Sequence, residues 1–185
     1  MPTIPDKLAR YLRVTPGTET HGQSGPVWAE ARNLAATRTW SLEMSLPGFL
    51  AIFGPHAGRS VDLSRTLRGC GSVVLMAATI GDDLERRSAE HFAQGRPFAG
   101  YMLDRMGSYL AESAMRELHA AARRKAESFG GAATRRFSPG YGDFSLEAQA
   151  HFMRVIGRDM PGLELTAGYI LSPQKSVTAV CGVRI

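Results

Sequence analysis

Apolar residues spaced three and four apart predict six helices in this chain. The strongest pattern predicts the longest helix over residues 98–127, with Gly130-Gly131 as its end. Its apolar stripe consists of Leu103, Met106, Leu110, Ala114 and Leu118. Five other helices are predicted. One covers residues 7–14 and one begins at about Pro26. The others run from Ser60 or Asp62 to Leu67, from Asp82-Asp83 to Phe92, and over residues 146–156. The polar segment 15–25 is predicted to be a loop.

Alternating apolar residues and continuous apolar runs predict the strands. Alternation over residues 40–46 indicates a half-buried strand, and Pro47-Gly48 then turns the chain into a strand over 49–53. The apolar run 73–79 suits a central strand or one turn of a buried helix. Two further strands are predicted over 163–171 and 177–185. Because strands and helices are interspersed without regular βαβ units, the pattern predicts an α+β fold with an antiparallel or mixed sheet.

The length and composition are those of one globular domain. The chain has 185 residues, of which 44% are hydrophobic and 21% are charged. Residues 1–6 lack the apolar stretch of a signal peptide, and the longest apolar runs are too short to span a bilayer. We therefore expect a cytoplasmic protein that has no membrane partner.

The formal net charge of +5 raises the question of a nucleic-acid partner. The basic residues are scattered, and their densest cluster, 123–125, ends a predicted helix, where cations complement the helix dipole. No platform of interleaved aromatic and basic residues is present. We expect no nucleic-acid partner.

The sequence carries no metal-binding or strong catalytic motif. Cys70 and Cys181 lack metal-ligand spacing and are expected to be buried small residues. The five histidines show no HxxxH or HxH spacing, so no metal is predicted. Nucleophile-elbow, phosphate-loop and dinucleotide-binding patterns are missing, and Gly81-Asp82-Asp83 fits a helix start.

The most informative segment covers residues 136–144 and reads Arg-Phe-Ser-Pro-Gly-Tyr-Gly-Asp-Phe. Pro139 and two glycines predict a tight turn between two amphipathic helices, and loops on rigid flanks often bind ligands. Arg136 is either a surface arginine or the partner of a ligand carboxylate. Glu112, inside the long helix, either pairs with Arg116 one turn later or faces a cationic ligand group.

This segment resembles the S-adenosylmethionine-binding Arg-x-x-x-Gly-Tyr motif in the activation (reactivation) domain of cobalamin-dependent methionine synthase. The segment Leu-Ala-Glu-Ser at 110–113 looks like that family's long helix, with its Ala-Glu-Ala signature. Residues 165–177 are similar to the family's Leu-Thr-Glu-Ser…Pro…Ser-Val hairpin. Residues 70–81 resemble the short, free-standing members of the group. Recognisable similarity covers about residues 60–185 and, weakly, the N-terminal third of the chain.

The resemblance implies both a fold and a ligand site. The fold is a bent antiparallel or mixed sheet flanked by helices, with residues 1–185 as one domain and residues 1–40 as a helical segment packed on it. The implied ligand-binding positions are those that match the family's motifs: Arg136 for the ligand carboxylate, Gly140 and Tyr141 in the loop, Glu112 for the ammonium, and Ala167 in the hairpin. No catalytic residue is implied.

This sequence departs from the family pattern in three places. The hairpin reads Leu-Thr-Ala-Gly at 165–168, so Ala167 stands where the family has a carboxylate. The family's N-terminal segment with a ligand-contacting aspartate has no clear counterpart. The family's C-terminal extension, which supplies a further ligand-contacting tyrosine, also has no counterpart in this sequence. These departures bear on ligand binding more than on the fold.

The function implied by the resemblance is reactivation of a cobalamin-dependent methyltransferase. Cob(II)alamin is reduced by a donor such as flavodoxin and then methylated by S-adenosylmethionine. The chain has no cobalamin-binding Asp-x-His-x-x-Gly motif. It is therefore expected to act in trans on a separate corrinoid protein, for example as one piece of a split methionine synthase, and to be a component of that system rather than a complete enzyme. One alternative is a non-catalytic module that docks on a corrinoid protein without binding S-adenosylmethionine. A small-molecule sensor or an ordinary methyltransferase is disfavoured, because no glycine-rich nucleotide loop follows a first strand.

Overall fold

A four-stranded antiparallel sheet lies at the centre of the computed structural model, which describes residues 3–184. Its strands are β1 Arg38–Ser45, β2 Ser72–Thr79, β3 Ala132–Ala133 and β6 Ser176–Arg184, in the order β1-β2-β6-β3. Two short strands, β4 Glu164–Leu165 and β5 Leu171–Ser172, form a separate antiparallel hairpin. β2 and β6 are the inner strands, which explains why their sequences are apolar on both faces.

Seven α-helices are found within residues 3–184. Their bounds are α1 Asp6–Leu12, α2 Glu19–Leu34, α3 Leu46–Ala57, α4 Val61–Leu67, α5 Asp83–Ala93, α6 Pro97–Ser128 and α7 Gln149–Ile156. A 3₁₀ turn at Leu146–Ala148 precedes α7, and Ser145 caps it by accepting a hydrogen bond from the Glu147 N–H. The long helix α6 determines the layout, because it contacts β2, β6, α1, α2 and α5.

Helices cover both faces of the sheet. On one face, α3, α4 and α7 pack on Val73, Leu75 and Val180 through a core rich in phenylalanine. On the other face, small residues of α6 pack on the side chains of β2 and β6 that alternate with Val73, Leu75 and Val180 along the strands. That second core contains Val74, Met76, Ala78, Ala114, Met115, Ala122, Ala126, Ala179, Cys181 and Val183. The alternation of side chains along β2 and β6 thus supplies two cores from the same two strands.

A third core lies between α1, α2, α5 and the first half of α6. Leu8, Trp28, Leu84 and Met106 are among its buried residues. The packing of α1 and α2 on α6 connects the N-terminal helices to the rest of the fold. Our division of residues 1–185 into one domain with a packed segment 1–40 stays a prediction.

The predicted fold class is confirmed: helices flank an antiparallel sheet in a mixed α and β fold. The long helix, the central strand over 73–79 and the Ser60 cap of α4 lie where the sequence predicts them. Cys70 and Cys181 are both buried, as expected, and both are free thiols. No helix within residues 3–184 is long and apolar enough to cross a membrane.

Three predicted elements are wrong. The segment 15–25 is not a loop, because α2 begins at Glu19, where the Thr18 hydroxyl accepts a hydrogen bond from the His21 N–H, and continues through Pro26. The segment 49–53 is not a strand but part of α3, whose cap is Ser45. The predicted strand 163–171 is the hairpin of β4 and β5.

The last strand, β6, pairs with β2 and β3 and not with the segment that precedes it in sequence. Its residues Cys181 and Val183 are both buried. The predicted end of this strand, Ile185, lies outside the described residues.

Candidate functional site

The loop 136–144 is held at both ends by the core. At its start, Phe137 and Val180 of β6 exchange two backbone hydrogen bonds of 2.8 Å each. At its end, Phe144 is 1% exposed and packs with the phenylalanines on that face of the sheet. The loop is therefore positioned by the sheet and can present its side chains at a defined place.

Asp143, next to the end of this loop, ties the loop to the start of α4. Its carboxylate accepts hydrogen bonds from the Ser60 hydroxyl at 2.5 Å and from the Val61 N–H at 2.6 Å. The Ser60 hydrogen bond, followed by those from the backbone of Val61 and Asp62, lowers the pKa of Asp143 despite the opposing effect of burial. Gly142 has a φ of +54°, and a Cβ there would lie 2.8 Å from Asp62 Oδ2. The positive φ favours glycine at 142, and a larger residue would also have to displace the Asp62 side chain.

The fold brings Arg136 and Glu112 together. Arg136 Nη2 lies 2.5 Å from Glu112 Oε2, in an ion pair whose side chains are 27% and 35% exposed. Arg136 Nη1 is buried and has no hydrogen-bond partner within residues 3–184. Of the two interpretations of Glu112, the pairing with Arg116 one turn later is wrong, because Arg116 instead donates to Ser113 Oγ at 2.6 Å.

These residues line a cleft of about 380 Å³, within the range of small-molecule sites. Tyr141 also lines it and is 67% exposed, which leaves its ring accessible. The remaining lining residues are Arg135, Phe137, Ser138 and Val177. A cation, a carboxylate and an aromatic ring in one cleft complement a zwitterionic amino acid that carries a planar group.

The other two predicted site residues have different positions. Gly140 has a φ of +86° and donates its N–H to the Phe144 carbonyl at 2.8 Å, so it shapes the loop without lining the cleft. Ala167 is exposed in the turn of the β4–β5 hairpin and does not line the cleft. The structure therefore brings Arg136, Tyr141 and Glu112 together and leaves Ala167 apart. The roles of all five residues in ligand binding stay predictions.

Four residues that line this cleft were not predicted as site residues: Arg135, Phe137, Ser138 and Val177. Arg135 precedes the motif, and Phe137 and Ser138 stand at its unspecified positions, so none of them carried a signal of its own. Val177 lies on β6, and its alternation along the strand indicated burial only. Contact with the cleft follows from the pairing of Phe137 with Val180.

A larger cavity of about 580 Å³ lies between α3 and α4. Its walls include Leu46, Leu50, Val61 and Leu63, and none of the predicted site residues lines it. Size alone would favour this cavity. The chemistry favours the smaller cleft, because opposite charges converge there with an accessible aromatic ring.

Comparison with known proteins gives a structural relationship. No protein-family model matches the chain, and no curated protein matches it. Among solved structures, the chain is similar to the MetH reactivation domain in its crystal structure bound to AdoHcy, with a TM-score of 0.52 and 19% sequence identity. The match covers 60% of this chain and 39% of that chain, so it spans less than half of the neighbour's length. At this identity the likeness shows a shared fold.

Proposed function

We propose that this protein binds S-adenosylmethionine in the cleft formed by Arg136, Glu112 and Tyr141. On this proposal it supports the reductive methylation of a separate cobalamin-dependent methyltransferase in trans, as a free-standing relative of the reactivation domain. The observation that carries the proposal is the convergence of Arg136 and Glu112, 24 residues apart, in one cleft. The fold shared with a domain that binds AdoHcy is consistent with it.

The cleft fits the amino-acid end of S-adenosylmethionine. Arg136 would donate to the ligand carboxylate, and its buried Nη1, which lacks a partner within residues 3–184, provides a further donor. Glu112 would accept hydrogen bonds from the ligand ammonium. The accessible ring of Tyr141 offers an aromatic face to the adenine.

The ligand must replace the contact between Arg136 and Glu112. In the free protein these two charges neutralise each other. On binding, Arg136 and Glu112 would each exchange this ion pair for one with the ligand. The net gain is therefore smaller than the new contacts alone would indicate. We expect weak binding by the isolated protein and tighter binding when a partner closes the cleft.

The partner in this proposal is a corrinoid protein, and methionine synthase fits best because the shared fold is that of a MetH domain. Cobalamin would be bound by that partner, and an electron donor such as flavodoxin would reduce it. S-adenosylmethionine supplies the methyl group in such a reaction. The residues of this chain bind and orient the ligand, and none of them needs to act as a general base.

A second candidate function is an interaction module that docks on a corrinoid protein without binding S-adenosylmethionine. The observation that favours it is the closed Arg136–Glu112 pair, which satisfies both charges without a ligand. Ala167 also favours the interaction module, because it has no carboxylate and lies outside the cleft.

Calorimetric titration with S-adenosylmethionine and S-adenosylhomocysteine separates the two functions. The proposal expects binding by the wild type and a loss of binding in Glu112→Gln. The matched control is Glu117→Gln, an exposed glutamate on the same helix, which should bind like the wild type. If neither ligand gives heat or a thermal shift, even with a corrinoid protein present, the proposed ligand binding is refuted and the interaction module is favoured.

Reconstitution tests the reaction itself. A corrinoid methyltransferase in the cob(II)alamin state is mixed with a reductant and S-adenosylmethionine, and methylcobalamin is followed by its absorbance. The rate should rise when this protein is added, and Arg136→Ala should remove the increase. Equal rates with and without the protein, for every corrinoid protein tried, would contradict the proposed reactivation.

A further inference from the structure

Three arginines from separate parts of the chain converge on a third cavity. Arg65 comes from α4, Arg135 follows β3, and Arg184 ends β6. Together with Thr66 and Thr134 they line a cavity of about 280 Å³. No carboxylate is among its lining residues within the described part of the chain.

Arg184 is oriented without being neutralised. Its Nε donates to the Arg68 carbonyl at 3.1 Å, and its Nη2 lies 3.5 Å from the Thr66 carbonyl oxygen. Both acceptors are uncharged backbone groups. The guanidinium is therefore held in place while its positive charge stays available to an anion.

The other two arginines have weak partners. Arg135 lies over the ring of Phe137, 6.0 Å from its centroid, and Arg65 forms an exposed ion pair of 3.5 Å with Asp62. Within residues 3–184, neither Arg135 nor Arg184 forms an ion pair with a carboxylate. The cavity thus concentrates positive charge that the described residues leave almost uncompensated.

Among the side chains that line this cavity, the guanidinium groups are the available donors. The Thr66 hydroxyl donates to the Asp62 carbonyl, and the Thr134 hydroxyl donates to the Arg135 carbonyl. Their protons are therefore committed to the fold. A ligand here must be an acceptor on several sides, which is the property of a tetrahedral oxyanion.

We propose that this three-arginine cavity binds the phosphate group of a small phosphorylated ligand. The planar fork of each arginine matches two phosphate oxygens, and a dianion gains from three cations at once. The volume lies just below the usual range of about 300–1,000 Å³ for small-molecule sites, so it fits a phosphate or diphosphate rather than a large ligand. Arg135 also lines the Glu112–Arg136 cleft, so the two cavities adjoin. The phosphate site does not depend on S-adenosylmethionine binding.

Titration with inorganic phosphate and pyrophosphate at constant ionic strength tests this site, with binding followed by calorimetry and by ³¹P NMR. The wild type should bind both, and pyrophosphate more tightly. Arg135→Gln and Arg184→Gln should each weaken binding by about tenfold, the effect of losing one charged hydrogen-bond partner. Arg123→Gln is the matched control, because Arg123 is an exposed arginine of α6 that pairs with Glu127. It should bind phosphate like the wild type.

Several outcomes decide the matter. Arg184→Gln also removes two contacts to the backbone and could prevent folding. In that case the test relies on Arg135→Gln and Arg65→Gln, because both positions are exposed. Glu112→Gln should retain phosphate binding, which separates this site from the proposed ligand cleft. Equal phosphate binding in wild type, Arg135→Gln and Arg65→Gln would overturn the proposal. So would binding of an acidic peptide but of neither phosphate nor pyrophosphate, since the cavity would then belong to a protein-docking surface.

Discussion

Arg136 and Glu112 form an ion pair, with Nη2 of the arginine 2.5 Å from Oε2 of the glutamate. This contact joins the loop 136–144 to the middle of the long helix α6. Its two charges are also the groups that a zwitterionic ligand would engage. The same pair therefore contributes to loop position and to the proposed binding site.

Replacing Arg136 with Ala should separate these two contributions. Stability should fall by at most ~1 kcal/mol, because the ion pair is partly exposed. Binding of S-adenosylmethionine should weaken by about 2 kcal/mol, the contribution of a hydrogen bond to a charged group. Urea unfolding and calorimetry measure the two effects.

The charge exchange Arg136→Glu with Glu112→Arg serves as the control for that prediction. It should restore most of the stability, because the pair is re-formed with reversed charges. It should not restore binding, because the carboxylate and ammonium of the ligand then face charges of their own sign. Normal binding in Arg136→Ala would show that the arginine has no role in the cleft.

Asp143→Asn should loosen the loop at its anchor on α4. The amide presents a donor nitrogen where Ser60, Val61 and Asp62 all offer donors, so one of these hydrogen bonds is lost. The melting temperature at neutral pH should fall, and ligand binding should weaken with it. Glu164→Gln, at an exposed position of β4, is the control and should melt like the wild type.

The acid dependence of stability should also change in Asp143→Asn. The pKa of Asp143 is lowered in the folded state below its usual 3.8, chiefly by the Ser60 hydrogen bond. Its stabilising effect is therefore present above about pH 4 and is lost as the pH falls through the folded-state value. The variant should show a smaller loss of stability over that window. An acid transition identical to that of the wild type would mean that the carboxylate does not anchor the loop.

Gly182→Ala should destabilise the fold, although the position lies in a regular strand. A Cβ at 182 would meet Cys70 Sγ and would come 3.0 Å from Leu67 Cδ2. Overpacking of this kind costs about 1–3 kcal/mol. Gly71→Ala is the matched control, because a Cβ there meets no atom within 4 Å. Chemical denaturation of both variants gives the comparison, and equal stabilities would show that the Cys70 side chain can move aside.

His151 should make stability depend on pH near neutrality. Burial lowers its pKa from the usual 6.5, and the nearby His56 and Arg154 add to this effect. Glu147, 3.8 Å from His56 Nδ1, is the facing carboxylate in this cluster. Because the folded state favours the neutral ring, the stabilising effect is present above about pH 6.5 and is lost as the pH falls through the folded-state value.

His151→Phe keeps an aromatic ring against Phe53 and removes the titrating group. Its free energy of unfolding should therefore fall less than that of the wild type between about pH 7 and pH 5. His21→Phe on α2 provides the comparison and should keep the wild-type slope. A steeper fall in His151→Phe than in the wild type would reverse the sign of the expected effect and refute it.

Local patterns in the sequence determined the elements that have one strong signal. The stripe over 98–127 has the 3.6-residue period of a helix, and α6 runs from Pro97 to Ser128. The run 73–79 is apolar throughout because β2 is an inner strand covered on both faces. The loop 136–144 could be recognised because proline and glycine restrict the backbone locally, whatever the rest of the chain does.

The tertiary structure decided the elements and contacts whose local signal was ambiguous. Residues 46–57 are apolar without a clear period, and they form α3 because Phe49 and Phe53, stacked 4.6 Å apart, both face one core. Arg136 meets Glu112 rather than a neighbour in sequence, because the pairing of Phe137 with Val180 lays the loop beside α6. The three arginines at 65, 135 and 184 also converge through contacts between distant segments. The pairing of β3 with β6 places Arg135 near Arg184, and the packing of α4 on β6 adds Arg65. Such long-range contacts leave no trace in local periodicity.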